Sequence, residues 1–167
     1  MDITGSDDFD IRFTNLDDLS YLAKWLRSEG MLHWYPPSDE PELENFVNIW
    51  MGFARYNASL TATYKDVPVG FATLYLMPYR KVAHQCMFQI IVDPGNQRKG
   101  VGRALVRNLK HLAKTRFRLE LMHVEILDES NLIPLLKELE FKEFARQEKF
   151  VKENGQYYPR ILMEIDL

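Results

Sequence analysis

VDPGNQRKGVGRAL, residues 92–105, leads from the end of an apolar strand through a Pro-Gly turn into two glycines and a basic helix. How this stretch is read decides the fold. A Walker-type loop ends in Gly-Lys-Ser or Gly-Lys-Thr, and neither Gly100 nor Gly102 precedes such a pair. A dinucleotide-type turn needs Gly-x-Gly-x-x-Gly/Ala tight against its strand. Gly100 and Gly102 supply the first pair, but the third position is Leu105, and residues 93–99 separate the strand from the glycines. A third geometry fits the spacing: successive backbone N–H groups wrap a diphosphate where the loop becomes a helix. Missing Cβ atoms let the phosphate approach. The unpaired amides and dipole of the first helical turn favour an anion there.

The flanking charge agrees. Arg98, Lys99, Arg103, Arg107, Lys110, Lys114, Arg116 and Arg118 lie between positions 98 and 118 with no acid among them. The whole chain carries −3 and these residues supply +8, so the remainder carries −11. A cationic helix by itself is ordinarily a solvated face. Strand, loop, glycines and cations in succession instead describe a local field that draws a polyanion into an acidic protein.

Outward from this segment, 167 residues with 46% hydrophobic and 27% charged content describe one domain with one sizeable core, and 1–167 is taken as a single unit. No stretch approaches the ~20 apolar residues of a membrane span, so no membrane partner is expected. The acidic N-terminus MDITGSDDFD is not a secretory signal. The lone Cys86 excludes an intrachain disulfide and fits a reducing compartment, hence a cytoplasmic location. His33, His84, His111 and His123 are scattered without metal-ligand spacing, and no metal site is expected.

Periodicity gives strands at 9–14, 59–64, 68–77, 83–92, 119–127, 141–151 and 157–166, and helices at 16–28, 40–56, 100–115 and 131–139. Leu19, Leu22, Ala23 and Leu26 recur at helical spacing; so do Phe46, Ile49, Trp50 and Phe53, and Val101, Leu105, Leu109 and Leu112. The apolar end of 83–92 predicts burial on both faces. Asn154-Gly155 is a strong hairpin signal. The order β-α-α-β-β-β-α-β-α-β-β predicts an α/β (α+β) fold: a central mixed sheet with helices on both faces.

Val92-Asp93-Pro94 followed by Gln97-Arg98-Lys99-Gly100-Val101-Gly102 resembles motif A of the GNAT superfamily, the acyl-CoA-dependent N-acetyltransferases. The element order resembles that fold over nearly the whole chain. The resemblance implies acetyl-CoA as donor and an amine acceptor, either a small molecule or a protein amine, with direct attack in a ternary complex. It implies that the amides of Gln97, Arg98, Lys99, Gly100, Val101, Gly102 and Arg103 cradle the diphosphate. Ile91 and Val92 would pair with the pantetheine arm, in a slot opened where their strand splays from 119–127. The Val92 N–H would polarise the thioester carbonyl. A homodimer is one arrangement it allows.

The catalytic groups stay open. The family's Tyr acid aligns with Leu136, and its Gly before Phe141 with Glu140. Tyr157 and Tyr158 are the remaining acid candidates. Glu125, His84 and His123 are the base candidates, with His123 and Glu125 on one strand face and His84 and Gln89 on opposite faces of theirs. Cys86 as an acyl carrier would mean ping-pong kinetics. The loop His33-Trp34-Tyr35-Pro36-Pro37 is expected either to wall the acceptor site or to cap the core. Two other readings stand beside the enzyme: a non-catalytic acyl-CoA-binding protein, and a module whose basic helix binds nucleic acid or an acidic partner, nucleic acid being the less expected.

Overall fold

The computed structural model describes residues 9–167. The start of the stretch read as no secretory signal, residues 1–8, lies outside the described residues. The elements are β1 (Phe9–Phe13), α1 (Leu19–Leu26), α2 (Glu40–Arg55), β2 (Ser59–Tyr64), β3 (Val67–Leu76), β4 (Gln85–Val92), α3 (Val101–Thr115), β5 (Leu121–Leu127), α4 (Leu132–Glu138), β6 (Lys142–Glu153) and β7 (Gln156–Asp166). They form the expected mixed sheet, in the order β1-β2-β3-β4-β5-β7-β6. Every neighbouring pair is antiparallel except β4 and β5, which run parallel and are joined by α3. No described helix is long and apolar enough to cross a membrane.

Alternation along the strands divides the core into two layers. On one face, Ala72, Leu74, Cys86, Phe88, Met122 and Val124 meet Val101, Leu105, Leu109 and Leu112 of α3. On the other, Phe71 and Ile91 meet Leu22, Trp25 and Leu26 of α1 and Leu43, Phe46 and Trp50 of α2. Burial of each large side chain contributes about 1.5–3 kcal/mol. The inward face of α3 is as its spacing predicts. That of α2 is rotated: Leu43 and Ala54 are buried with Phe46 and Trp50, whereas Ile49 is 42% exposed. In α1, Trp25 takes the buried place expected of Ala23.

Three local features fix the register. Asn154 and Gly155 both have positive φ (50° and 79°), the backbone of a two-residue hairpin turn. Gly70 lies so close under α3 that a Cβ there would meet Val101 Cγ1 at 2.8 Å. This glycine seats the N-terminus of α3 against β3. Helix α4 ends in a double-bonded left-handed cap: Phe141 N–H donates to the Leu136 carbonyl (2.9 Å) and Glu140 N–H to that of Lys137 (3.0 Å). The left-handed residue is Glu140 (φ 71°), at the position where the family resemblance puts glycine.

Strand β4 begins at Gln85, two residues later than expected, because Arg80–Val82 form a turn of 3₁₀ helix and 83–84 complete it. His84 is therefore an exposed turn residue. The expectation that β4 is buried on both faces also gives way at its C-terminal end, where Ile90 and Val92 are only half-buried.

Candidate active site

Strands β4 and β5 pair only at Gln85–Met87 with Leu121–His123. Beyond Met87 they part, and a cavity of about 500 Å³ opens between their C-terminal ends. Helices α3 and α4 both begin there, so two helix N-termini flank a crevice outside the carboxyl ends of parallel strands.

Backbone direction along β4 follows from one bond: the Asp93 N–H donates to the Val69 carbonyl on β3 (2.9 Å). By alternation, Ile91 also turns its N–H and C=O toward β3, where it pairs with Phe71, while Ile90 and Val92 turn theirs toward the gap. This corrects the expectation for Ile91, whose side chain is buried on the α1–α2 face. Ile90 takes its place on the open edge beside Val92. The Ile90 carbonyl is already used, accepting from the Tyr35 hydroxyl at 2.8 Å. Burial holds that phenol well above its usual pKa.

At one end of the cavity lies the loop before α3. Asp93 closes its first turn, accepting from the side-chain amide of Asn96 (2.7 Å). Arg98 and Gly100 have positive φ (61° and 91°), which turns successive amides to one side. Among the described residues, the N–H groups of Gln97 to Arg103 find no intramolecular acceptor. Gln97, Arg98, Gly100, Gly102 and Arg103 line the cavity. Val101 contributes only its backbone, since its side chain is 1% exposed in the core. The Lys99 ammonium folds back to donate to the Gly95 carbonyl (3.2 Å). Arg103 is ion-paired with Glu138 of α4. A concave row of free amides at a helix N-terminus, with cations around it, fits a diphosphate.

The far end carries different chemistry. Met31, Trp34, Tyr35, Gln89 and Glu125 line it, on the face covered by α1 and α2. The loop 31–37 thus walls the cavity through Trp34 and also caps the core through Tyr35. His33 ties this wall to the β6–β7 hairpin: its Nδ1 lies 2.9 Å from Glu153 Oε2, and its ring meets that of Tyr158 edge-on at 4.9 Å. Glu125 points into the cavity and is ion-paired to Arg160 of β7 at 2.8 Å.

The other candidates fall away from this space. His123 is half-buried, two residues before Glu125, and does not line the cavity. Its burial lowers its pKa below the usual value, against the opposing charges of Glu125 and Glu164. Tyr157 is 48% exposed beside Lys149 and Lys152, and the Tyr158 hydroxyl donates to Gln156. Leu136 is buried in the core, and the cavity face of α4 is Leu132 and Leu135, with Ser130 and Asn131 before the helix also lining it. No tyrosine stands on that helix. Cys86 is buried and its thiol is pushed up to about 12 by desolvation, so it is inert packing. Among the described residues no His, Cys, Asp and Glu group forms a metal cluster.

A family model for the GNAT acetyltransferases matches residues 19–141, from α1 to the strand after α4. The chain belongs to the GNAT acetyltransferase family. This makes it an acyltransferase with acetyl-CoA as donor. No curated protein sequence matches this acetyltransferase. Its fold is shared with yncA of Salmonella typhimurium, solved with its cofactor acetyl-CoA (21% identity, 96% of this chain and 95% of that one, TM-score 0.80). It is shared also with ribosomal-protein-alanine N-acetyltransferase of Brucella melitensis (21%, 95% and 99%, 0.80) and ribosomal-protein-S18-alanine N-acetyltransferase of Escherichia coli (19%, 95% and 93%, 0.73).

The sequence left Leu132, Leu135, Ser130, Asn131 and Arg160 without a place in the site. The helical period at 131–139 carried the signal for the two leucines, but only the parting of β4 from β5 opens a cavity for them to line.

Proposed function

We propose that this acetyltransferase moves the acetyl group of acetyl-CoA to a primary amine by direct attack in a ternary complex. One observation carries the reading: the gap between β4 and β5 joins a row of free amides at one end to a carboxylate, Glu125, at the other. The diphosphate sits on the amides of residues 97–103. The pantetheine arm passes along the open edge of β4 as an added strand. The Val92 N–H, directed into the gap, donates to the thioester oxygen as charge develops there.

The acceptor arrives on the opposite side, between Trp34 and Glu125. An alkylamine is mostly protonated at pH 7, with a pKa near ~10.4. Glu125 takes one proton directly or through one water, the neutral nitrogen forms the new C–N bond as the C–S bond breaks, and the second proton that the nitrogen then sheds passes through water to the departing thiolate or to solvent. The thiolate is a stable leaving group and departs without a side-chain acid, consistent with leucine at position 136. We place the enzyme in the cytoplasm on the single cysteine of its sequence, which fits a reducing compartment.

The test is release of CoA thiol from acetyl-CoA across a panel of primary amines. Glu125→Gln should lower kcat/KM by about 100-fold while leaving acetyl-CoA affinity intact. Binding of acetyl-CoA without thiol release from any amine would leave a non-catalytic acyl-CoA-binding protein instead.

A further inference from the structure

Glu125 does not stand in the cavity as a lone carboxylate. Arg160 Nη1 lies 2.8 Å from Glu125 Oε2, with side-chain exposures of 21% and 32%. Arg160 is itself held from two further directions. Its Nε donates to Gln147 Oε1 (3.0 Å), and its guanidinium carbon sits 4.0 Å above the centre of the Phe150 ring. Strand register makes this possible. Gln147 pairs with Arg160 and Val151 with Tyr158, so residues 148–150 stand opposite Pro159 alone, and the bulge brings Phe150 against Arg160. Nη2 takes no partner among the described residues, nor does Glu125 Oε1.

This arrangement bears on which acceptor the site prefers. A carboxylate beside a fixed guanidinium is a neutral pair, so an acceptor bearing only an ammonium gains little net attraction. An acceptor with a negative group next to its amine meets complementary charge at both ends. A guanidinium immobilised by stacking and a side-chain acceptor loses little freedom on binding a planar anion. Met31, Trp34 and Leu127 supply apolar surface beside the pair.

We propose that Glu125 and Arg160 together select a compact amino acid as acceptor, its amine toward Glu125 and its acidic group toward the free edge of Arg160. This rests on the reading of Glu125 as the amine site. Arg160 is then a specificity-determining residue, with Gln147 and Phe150 holding it in place.

The experiment uses pairs that differ only in the carboxylate: L-phenylalanine with 2-phenylethylamine, L-methionine with 3-(methylthio)propylamine, and L-alanine with ethylamine. Each is titrated calorimetrically into the full-length enzyme saturated with CoA, and each is also assayed for thiol release from acetyl-CoA. At least one amino acid should bind at least 10-fold more tightly than its amine. Arg160→Gln should reverse that order, because the unpaired carboxylate then favours the simple cation, and CoA affinity should not change. The wild-type ratio decides even where the variant is unstable. Equal or weaker binding of the amino acid in every wild-type pair overturns the inference, as does an unchanged ratio in folded Arg160→Gln. Thiol release with the simple amines alone would leave the acetyltransferase reading standing and sink only the amino-acid preference. Failure to bind acetyl-CoA would sink both.

Discussion

Gly102 separates what the folded chain tolerates from what the donor tolerates. It is the second residue of α3, and a Cβ built on it would meet Leu135 Cδ2 at 3.5 Å, with Ile90 Cδ1 and Val92 Cγ2 at 4.0 Å. Those are ordinary contacts, so alanine fits the free protein. Replacing a helical glycine by alanine gains up to about 1 kcal/mol, which in a chain of this size raises Tm by about 3 °C. Glutamate is also compatible with folding, since an acid in the first turn is favoured by about 0.3–1 kcal/mol. The donor meets the opposite situation. The new carboxylate stands among the free amides of residues 97–103 and competes for them. A unit charge about 5 Å from a phosphate, at an effective dielectric constant near 20, opposes binding by about 3 kcal/mol, or roughly 150-fold. Calorimetric titration with acetyl-CoA, with acetyl-pantetheine as the control lacking the diphosphate, measures this directly. Gly102→Glu should lose at least about 100-fold toward acetyl-CoA and far less toward acetyl-pantetheine, with Tm unchanged or raised. Full acetyl-CoA affinity in a folded Gly102→Glu variant would refute the assignment of the diphosphate to this loop.

Two further predictions concern the scaffold. Glu140→Gly relieves a left-handed residue in the cap of α4 and should stabilise the protein by about 1 kcal/mol, read as a higher thermal midpoint without change in thiol release. Asp18 is nearly buried; burial on its own raises its pKa, but the two bonds from Arg12 (2.6 and 3.0 Å), the Asn15 amide and Thr61 outweigh this and hold it below the usual aspartate range. A depressed native pKa contributes stability above the unfolded value near ~3.9 that is lost as pH falls through the native one. Asp18→Asn should therefore cost about 2 kcal/mol at pH 7 and flatten the fall in denaturation midpoint below pH 4; an unchanged acid limb would contradict the pairing.

What the sequence determined on its own was local. Period-2 and helical spacing defined the elements, Asn154-Gly155 set the last hairpin, and the succession from Val92 through Gly102 marked a loop of free amides before a cationic helix. These are properties of neighbours along the chain, and burial followed them closely in α3. Tertiary structure decided which edges and faces meet. Alternation says that Ile90 and Ile91 differ in direction, but only the bond from Asp93 to Val69 tells which of them faces the gap. The Tyr35 hydroxyl on Ile90 and the cross-strand reach of Arg160 on β7 to Glu125 on neighbouring β5 join residues 35 to 55 positions apart. No periodicity encodes such contacts, because they depend on strand order and register in the assembled sheet.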